Sequence, residues 1–524
     1  MRKRPFSTLG LLVGIVGAVW ATNALCCTSI MVGRKASADG SVMTSHTCDS
    51  HDASSAIEIV PAKKHQAGEW VVTSKRAENH AGPMKRTMRK TTGRTPQVAE
   101  TYGYVAGEYG IMNEHQLAIG ESTFGGRKEL HNHEGLLDCD TLTRLMLERT
   151  KTARDAIRLG GALIEQYGWC DEGEGLTIAD THEVWLMEIV GPGKGGAGAV
   201  WAAQRVPDDH VCVIANGSRI GEIDLANADY FMASKNITKR AEELGYWSRK
   251  SGRPFRFYEA YSPDSRTEFA TTRREWRVFD LLAPSLGLQP NSNHFPFSVK
   301  PEKPVAPEKI MALFRDTFEG TDFDVVKDLT VVDETGKTVK SPMANPFMPY
   351  DMNKMLRING GWSWRGERCL ARWFCMYVTV TQSRGWLPDP VGGVVWFGYA
   401  NPAMTTYTPI YAGVTDLPED YKTDGRATGM SRRSAWWAYK QVATIAAHRW
   451  GDMRADVAGV RGPLQERFLS EQKGVADRAC RLLKQDPAKA RAFLTEKTRA
   501  ACRQATDAYW SLGGQLWNKY DEMW

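Results

Sequence analysis

The sequence predicts a layered α+β fold that ends in a helical region. Strand-like stretches come first, a segment of helical apolar spacing follows, and strand character then returns. From Met430 onward the pattern is helical to the end of the chain. There is no repeat at solenoid spacing and no low-complexity segment, and 524 residues are enough to bury a large core.

The first predicted element is a β-hairpin that starts at Cys27. Thr28 to Gly33 is typical of a strand, Asp39-Gly40 is a strong turn signal, and Ser41 to Ser45 is typical of the returning strand. Residues 63–97 are polar and rich in Lys and Arg with little periodicity, so we expect them to form a long excursion over the surface.

Strands and helices then follow along the chain. Tyr109 to Thr123 is predicted to form two strands around a turn at Asn113-Glu114-His115, and Asp140 to Tyr167 has helical spacing. Later segments comprise predicted strands at Leu176–Ile189, Val211–Ile214 and Val394–Thr415, and predicted helices at Thr272–Leu286 and Lys309–Phe318.

The first 26 residues have the three parts of a secretory signal. Arg2-Lys3-Arg4 is a basic start, an apolar run of about 13 residues follows, and the segment ends in Ala24-Leu25-Cys26. The apolar run is too short to span a bilayer, which needs about 20 residues. We therefore expect residues 1–26 to be removed, which makes Cys27 the first residue of a secreted or periplasmic protein.

Two alternatives to this cleavage stay open. One is an uncleaved membrane anchor, and the other is a lipoprotein in which Cys26 or Cys27 is acylated. A lipoprotein signal has a leucine, two small residues and then the cysteine, whereas Leu25 lies directly before Cys26 here. No other stretch is long and apolar enough to be a transmembrane helix, so we expect no stable membrane insertion after signal cleavage.

The charge pattern excludes nucleic acid as a partner. The formal net charge is +6, and removal of the three basic residues in the signal leaves about +3. The remaining charges are mixed along the sequence, with no basic stripe between aromatics. The sequence leaves a homo-oligomer open.

Eight cysteines remain for disulfides once Cys26 has left with the signal and Cys27 is kept free. Export would allow disulfides to form, although sequence alone does not give the connectivity. No C-x-x-C pair occurs, which argues against a zinc ribbon or a thioredoxin-type site. The pairs considered, the first being preferred because its cysteines lie in consecutive predicted helices, are Cys480–Cys502, Cys139–Cys170 and Cys369–Cys375.

An N-terminal cysteine can act as a nucleophile with its own base. A thiol attacks an amide carbonyl well only when it is deprotonated, and its free pKa is about 8.5. The α-amine has a pKa of about 7.7–8.0, so at neutral pH a useful fraction can accept the thiol proton. Such a site also needs oxyanion donors and a charge that orients the amine. The returning strand of the hairpin can place Asp49 near the Cys27 amine.

The residues around Cys27 resemble a known family. The segment CTSIMVGRKASADGS, which begins at Cys27, is similar to the start of the C69 family of cysteine dipeptidases, which are N-terminal-nucleophile hydrolases related to penicillin V acylases and bile salt hydrolases. The likeness runs to roughly Pro418. It implies a four-layer αββα sandwich over residues 27–420, with a helical region at 430–524. Further agreements lie at Gly110–Ile119, Val213–Asn216, Arg274–Arg277 and Trp396–Tyr399.

The resemblance also implies roles for individual residues. The nucleophile falls on Cys27, and the aspartate that contacts its amine falls on Asp49. An asparagine that donates to the oxyanion falls on Asn216, and a catalytic-site arginine falls on Arg274, or on Arg273 if the alignment slips by one. Structural interpretations stay open beside these roles: Asp49 and Asn216 as turn residues, and Arg274 as a solvated charge on a helix.

Two positions depart from the pattern of the relatives. His46 stands where many relatives have an arginine, and its charge would depend on pH. Thr123 stands where the acylases have an asparagine, so a backbone N–H would have to supply the second oxyanion donor. We expect His46 and Thr123 to contact the substrate, and His46 or Arg274 to bind its carboxylate.

These inferences predict a secreted dipeptidase that acts on small peptides. Cys27 attacks the peptide carbonyl, its own amine moves the proton, Asn216 helps to hold the oxyanion, and water hydrolyses the thioester. No metal or organic cofactor is required. The dipeptide substrate rests on the resemblance alone. Two alternatives stay open: an acylase of N-acyl amino acids or bile-salt-type amides, against which Thr123 counts, and a secreted binding protein or lipoprotein whose Cys27 is acylated or oxidised.

Overall fold

The computed structural model describes residues 27–79, 84–132, 134–193, 195–347 and 368–521. The expected signal peptide therefore lies outside the described residues. Helices and antiparallel strands are mixed along the chain, as the sequence predicts. Within the described ranges, no helix is long and apolar enough to cross a membrane.

Strands and helices are numbered in chain order. The strands are β1 (Ser29–Val32), β2 (Val42–Asp49), β3 (Glu58–Val60), β4 (Lys63–Lys64), β5 (Trp70–Asn79), β6 (Arg86–Pro96), β7 (Glu100–Thr101), β8 (Tyr104–Ala106), β9 (Gly110–Asn113), β10 (Ala118–Gly125), β11 (Gly173–Ala179), β12 (Val184–Val190), β13 (Val200–Val206), β14 (Val211–Ile214), β15 (Phe231–Ala233), β16 (Ser298–Val299), β17 (Thr330–Val332), β18 (Thr338–Lys340), β19 (Cys375–Ser383), β20 (Gly393–Tyr399) and β21 (Thr408–Tyr411). The helices are α1 (Cys139–Arg149), α2 (Ala153–Tyr167), α3 (Ile237–Glu243), α4 (Phe257–Tyr261), α5 (Phe269–Leu282), α6 (Pro307–Phe314), α7 (Asp389–Gly392), α8 (Glu419–Lys422), α9 (Gly425–Thr428), α10 (Trp436–His448), α11 (Trp450–Ser470), α12 (Gln472–Gln485) and α13 (Pro487–Lys519).

Most of the strands belong to two antiparallel sheets. The first sheet has the order β16-β14-β1-β2-β19-β20-β21, and the second has the order β15-β13-β12-β11-β10-β9-β8-β3. The predicted hairpin is confirmed, since β1 and β2 pair antiparallel on either side of the Asp39-Gly40 turn. β2 continues to Asp49, beyond the predicted end at Ser45, because it pairs along its length with β19.

The two sheets contact each other, and each sheet is also contacted by helices. β2 contacts β10 and β11 across the interface, α1 and α2 lie against the second sheet, and α10 and α13 lie against β20 and β21. Aromatic side chains of the first sheet and of these C-terminal helices share one core; Tyr439 packs against Tyr399 and stacks on Tyr509. Burial of apolar surface on this scale is the main favourable contribution to folding.

β2 is buried along its whole length although five of its eight residues are polar. Its polar side chains find partners across the interface between the sheets: Thr44 Oγ1 lies 2.6 Å from Thr177 Oγ1 of β11. β10 approaches so closely that a Cβ on Gly120 would lie 2.6 Å from the main-chain oxygen of Ser45, so only glycine fits there. Buried polar groups are therefore concentrated where β1, β2 and β10 meet.

Two segments differ from their sequence-based prediction. The helical segment from 140 to 167 is two helices, because Asp138 caps the start of α1 and Thr152 caps the start of α2 through the Asp155 N–H. Residues 63–97 do run along the surface as expected, but they contain the regular pairing of the long β5–β6 hairpin, which was not predicted. Most of this hairpin faces solvent, so its strands carry charged side chains and lack the apolar alternation that would reveal a strand. The sequence pattern therefore did not predict the pairing.

The nine cysteines of the described residues are all free thiols. The preferred pairing of Cys480 with Cys502 is absent, since Cys502 is fully buried in the core whereas Cys480 lies near the surface. Cys139 and Cys170 are likewise unpaired. The thiols of Cys369 and Cys375 each donate to a nearby main-chain oxygen instead, at 3.1 and 3.0 Å.

Candidate active site

Cys27 lies at the entrance to β1 and is fully buried. Its Sγ donates to Glu121 Oε1 at 2.7 Å. Its main-chain oxygen accepts hydrogen bonds from Arg274 Nη1 at 3.0 Å and from the Ser122 hydroxyl at 3.3 Å. Both the thiol and the main chain of this residue are therefore held in place, with the thiol directed at the second sheet.

Glu121, on β10, is the thiol's neighbour, and the sequence analysis missed it. Its main-chain oxygen accepts from the Ser29 hydroxyl at 2.8 Å, which ties β10 to β1. The close approach allowed by Gly120 brings Glu121 to this position. A signal was present in the sequence, since a glutamate in the middle of the predicted strand ending at Thr123 must be buried if that strand is a core strand.

A second buried carboxyl, Glu174 on β11, lies beside Glu121. Thr123 pairs directly with Glu174 across the two strands, and its hydroxyl donates to Glu174 Oε1 at 2.6 Å. Burial raises the pKa of Glu121 to about 7. Burial, followed by repulsion from Glu121, raises the pKa of Glu174 well above its ordinary value. The pair therefore shares at least one proton at neutral pH, because two adjacent buried carboxylates repel each other.

The raised pKa of Glu121 predicts how stability depends on pH. The folded carboxyl holds its proton up to about pH 7, whereas the unfolded one loses it near its ordinary value of 4.5. The folded state therefore loses stability as pH rises between these values, in total by about 3 kcal/mol. We expect Glu121→Gln to match the parent chain near pH 4.5 and to be more stable by about this amount at pH 8, as measured by urea unfolding.

A matched control for this experiment is Glu222→Gln, which changes an exposed glutamate. Its difference from the parent chain should not vary over the same pH range. A Glu121→Gln difference that is constant from pH 4.5 to pH 8 would contradict the raised pKa.

His46 lies on β2 beside Glu121, between the rings of Tyr109 and Tyr377. Its Nδ1 lies 3.0 Å from the main-chain oxygen of Glu121 and 3.7 Å from Glu121 Oε1. Burial lowers the pKa of His46 to about 4, so the ring is neutral at neutral pH. It therefore does not supply the permanent positive charge that an arginine would bring to this position.

Asp49 at the end of β2 forms a buried ion pair with Arg368, a residue that the sequence analysis did not single out. Arg368 Nη2 lies 2.9 Å from Asp49 Oδ2, and its Nη1 donates to Asn216 Oδ1 at 3.1 Å. Burial raises the pKa of Asp49, while the positive charges of Arg368 and Arg274 act in the opposite direction. One guanidinium thus connects two of the residues selected from the sequence.

Asn216 follows β14 with a φ of 58°, in the left-handed region that asparagine tolerates. Its backbone does form a turn, as one interpretation held, but its side chain also belongs to this cluster. Oδ1 accepts from Arg274 and Arg368, and Nδ2 donates to the main-chain oxygen of Thr123 at 2.6 Å. The two arginines fix which end of the amide is the donor, so Nδ2 faces β10 near Cys27.

Arg274 on α5 is 1% exposed, so the interpretation of it as a solvated helix charge is wrong. Five hydrogen bonds match the five N–H groups of its guanidinium. They run to oxygens at the start of β1, at the end of β14 and within α5: Cys27 O, Thr28 Oγ1, Ala215 O, Asn216 Oδ1 and Ala270 O. Arg274 therefore holds the main chain at Cys27 beside the end of β14. The alternative, Arg273, donates instead to Pro290 O and Asn291 on the outer side of the helix.

The electrostatics of this cluster keep the thiol protonated. Burial, followed by the nearby charge of Glu121, raises the pKa of Cys27 well above its ordinary value. A thiol in this environment needs a neighbouring base that takes its proton during attack. The structure brings Cys27, His46, Glu121, Asn216 and Arg274 together around one point, with Asp49 and Thr123 at its edges.

Comparison with known proteins identifies the family. The profile described as peptidase family C69 matches residues 26–461. The chain is 25% identical to a probable dipeptidase of Latilactobacillus sakei over 510 residues, which cover 94% of each chain. It is 26% identical to a probable dipeptidase of Salmonella dublin (79% of this chain, 89% of the relative) and 22% identical to dipeptidase A of Lactobacillus helveticus (86% of each). The matched region contains the buried cluster of residues around Cys27. The chain belongs to peptidase family C69.

Proposed function

We propose that this protein is a secreted cysteine dipeptidase in which Cys27 is both the nucleophile and the first residue of the mature chain. The observation that carries the proposal is the fixed position of Cys27, whose thiol meets Glu121 while its carbonyl is held by Arg274. The dipeptide substrate is taken from the names of the relatives, which cover most of this chain.

In the proposed reaction the Cys27 thiol attacks the peptide carbonyl and its proton passes to the α-amine. The developing oxyanion receives a hydrogen bond from Asn216, whose amide orientation is fixed by two arginines. The amine then protonates the leaving amino group, and a thioester remains on Sγ. Attack of water on the thioester releases the second amino acid and returns the thiol.

Asp49 is proposed to orient the α-amine. The Thr47 N–H donates to Thr28 O at 3.0 Å, so the end of β2 runs beside the start of β1. Asp49 comes two residues later in β2, level with the N-terminal side of Cys27. Burial raises the pKa of Asp49, and its ion pair with Arg368 acts against this by favouring the carboxylate, which is the form that attracts an ammonium group.

We also propose that the packed sheets are the αββα sandwich of the N-terminal-nucleophile hydrolases, with residues 27–420 forming that domain and 430–524 its helical extension. The contact between the two sheets, together with helices that contact each of them, supports this arrangement. Secretion or transport to the periplasm is proposed from the signal-like first 26 residues.

An acylase is the second candidate, since it would need only a different substrate in the same site. The position at which the acylases carry an asparagine is Thr123, and its hydroxyl is engaged by Glu174 rather than free to donate to an oxyanion. This contact favours the dipeptidase.

The test compares two purified chains, one beginning at Cys27 and one retaining Cys26 in front of it. We expect the first to hydrolyse dipeptides, and the second to be slower by about 10²-fold or more, because its Cys27 nitrogen is an amide and cannot accept a proton. Circular dichroism and intact mass check that both chains are folded and free of lipid.

Each other outcome has a defined meaning. Equal rates for the two chains would remove the amine from the mechanism and leave Glu121 as the thiol's base. Hydrolysis of N-acyl amino acids but not of dipeptides would reassign the enzyme as an acylase. A lipid mass on Cys27 would favour the lipoprotein.

A further inference from the structure

The nucleophile lies in a group of three buried metal-binding side chains. Sγ of Cys27, one ring nitrogen of His46 and a carboxylate oxygen of Glu121 all lie within 4.8 Å of one another. All three side chains are at most 3% exposed. Thiolate, imidazole and carboxylate are the three side-chain types that bind Zn²⁺, and catalytic zinc sites use three protein ligands with one open position.

Two atoms of this group have spare binding capacity. His46 Nε2 and Glu121 Oε2 are buried, and no described residue forms a hydrogen bond with either. His46 Nδ1 lies 3.0 Å from the main-chain oxygen of Glu121 and 3.4 Å from its main-chain nitrogen; in the tautomer that carries its proton on Nδ1, that proton is donated to the oxygen and the lone pair is on Nε2. Metal-binding histidines commonly have this arrangement, in which the second ring nitrogen bonds a backbone carbonyl.

The charges of the pocket also favour a divalent cation. The negative charges of one thiolate and one carboxylate balance the charge of Zn²⁺, and the imidazole is neutral. The site with its bound ion therefore carries no net charge, which matters because an unbalanced charge is costly to bury. The other ionisable groups acting on Glu121 are Glu174 and Asp171, whose negative charges favour a cation, and Arg76, which opposes one.

We propose that Cys27, His46 and Glu121 form an inhibitory site for Zn²⁺ or a similar divalent transition ion. Binding replaces the thiol proton, and the carboxyl proton where it is present, so one or two protons are released and the Sγ–Zn bond forms without any redox change. Sγ is then unavailable for attack. The inhibitory consequence rests on the proposed function, whereas the binding does not.

Binding is measured first, with Co²⁺ as a spectroscopic substitute for Zn²⁺. Titration of the purified protein should give a near-ultraviolet thiolate-to-cobalt charge-transfer band at one ion per chain, which excess Zn²⁺ removes. Cys27→Ser should abolish the band, and Glu121→Gln and His46→Gln should each weaken Co²⁺ binding by at least about tenfold. The matched controls are Cys480→Ser, Glu222→Gln and His182→Gln, which change residues outside the site and should keep the band.

Inhibition is measured second, on the same preparation. Dipeptide hydrolysis should be lost at one equivalent of bound Zn²⁺ and restored by a chelator, and inhibition should require less Zn²⁺ as pH rises from 6 to 8, because binding releases protons. A cobalt band without any dipeptide hydrolysis would refute the proposed function and leave the metal site standing. Hydrolysis without a band, or a band that survives in Cys27→Ser, would refute the metal site and leave the function standing.

Discussion

Replacing Cys27 by serine is expected to lower kcat/KM for dipeptides by about 10⁴-fold or more, since the loss of a catalytic nucleophile has effects of this size. A serine hydroxyl is far less acidic and a weaker nucleophile than a thiol, so a site arranged around the Cys27 thiol activates it much less well. The substitution removes little volume from a site already lined by polar groups, so the free energy of unfolding should change by less than about 1.5 kcal/mol. Steady-state kinetics and urea unfolding measure the two quantities.

Cys480→Ser is the matched control, since it makes the same change at a cysteine of α12 near the surface. It should retain the parent rate. If Cys27→Ser kept more than about a hundredth of the parent activity after removal of contaminating peptidases, Cys27 would not be the nucleophile.

Arg274→Met is expected to damage both stability and activity. The methionine fills much of the space but donates no hydrogen bond. Buried main-chain oxygens at the start of β1 and the end of β14 therefore lose their hydrogen-bond donor. We expect the free energy of unfolding to fall by about 3 kcal/mol or more. In the folded fraction kcat should fall by about 10²-fold, because the nucleophile is displaced, while KM changes little.

Arg274→Lys tests whether activity depends on the hydrogen-bond geometry of Arg274 or only on its positive charge. Lysine keeps the positive charge but cannot reproduce the planar fork, so kcat should stay low although the charge is restored. Arg256→Met, at a surface arginine paired with Glu222, is the control and should behave like the parent chain. Recovery of the full rate in Arg274→Lys would show that the charge alone matters, and a rise in KM at unchanged kcat would assign Arg274 to substrate binding.

The part of the site that is local in sequence was predictable. A strand, an Asp-Gly turn and a returning strand determine the Cys27 hairpin, because turn chemistry and pairing act over a few residues. Asp49 was also predicted from its local position at the end of this hairpin. Its ion-pair partner in the structure, Arg368, lies 319 residues away along the chain. Asn216 and Arg274 were selected from the resemblance rather than from spacing.

The part that depends on packing between the sheets was not predictable. Glu121 is 94 residues from Cys27, and only the glycine-mediated approach of β10 to β2 brings the two together. Its burial also could not be read from residue type, since glutamate is usually exposed. The cysteine pairings failed for a similar reason, because adjacency of two helices in sequence does not show which faces they turn to each other.

The contact between Arg274 and the Cys27 carbonyl spans 247 residues. During synthesis Cys27 therefore emerges long before the arginine that holds it, and Arg368 follows later still. Strands β1 and β2 can pair early, but the main chain at Cys27 has no fixed orientation until the middle of the chain has folded onto them. The arrangement around Cys27 is in this sense a late product of folding, and a nascent chain that ends before Arg274 does not yet have it.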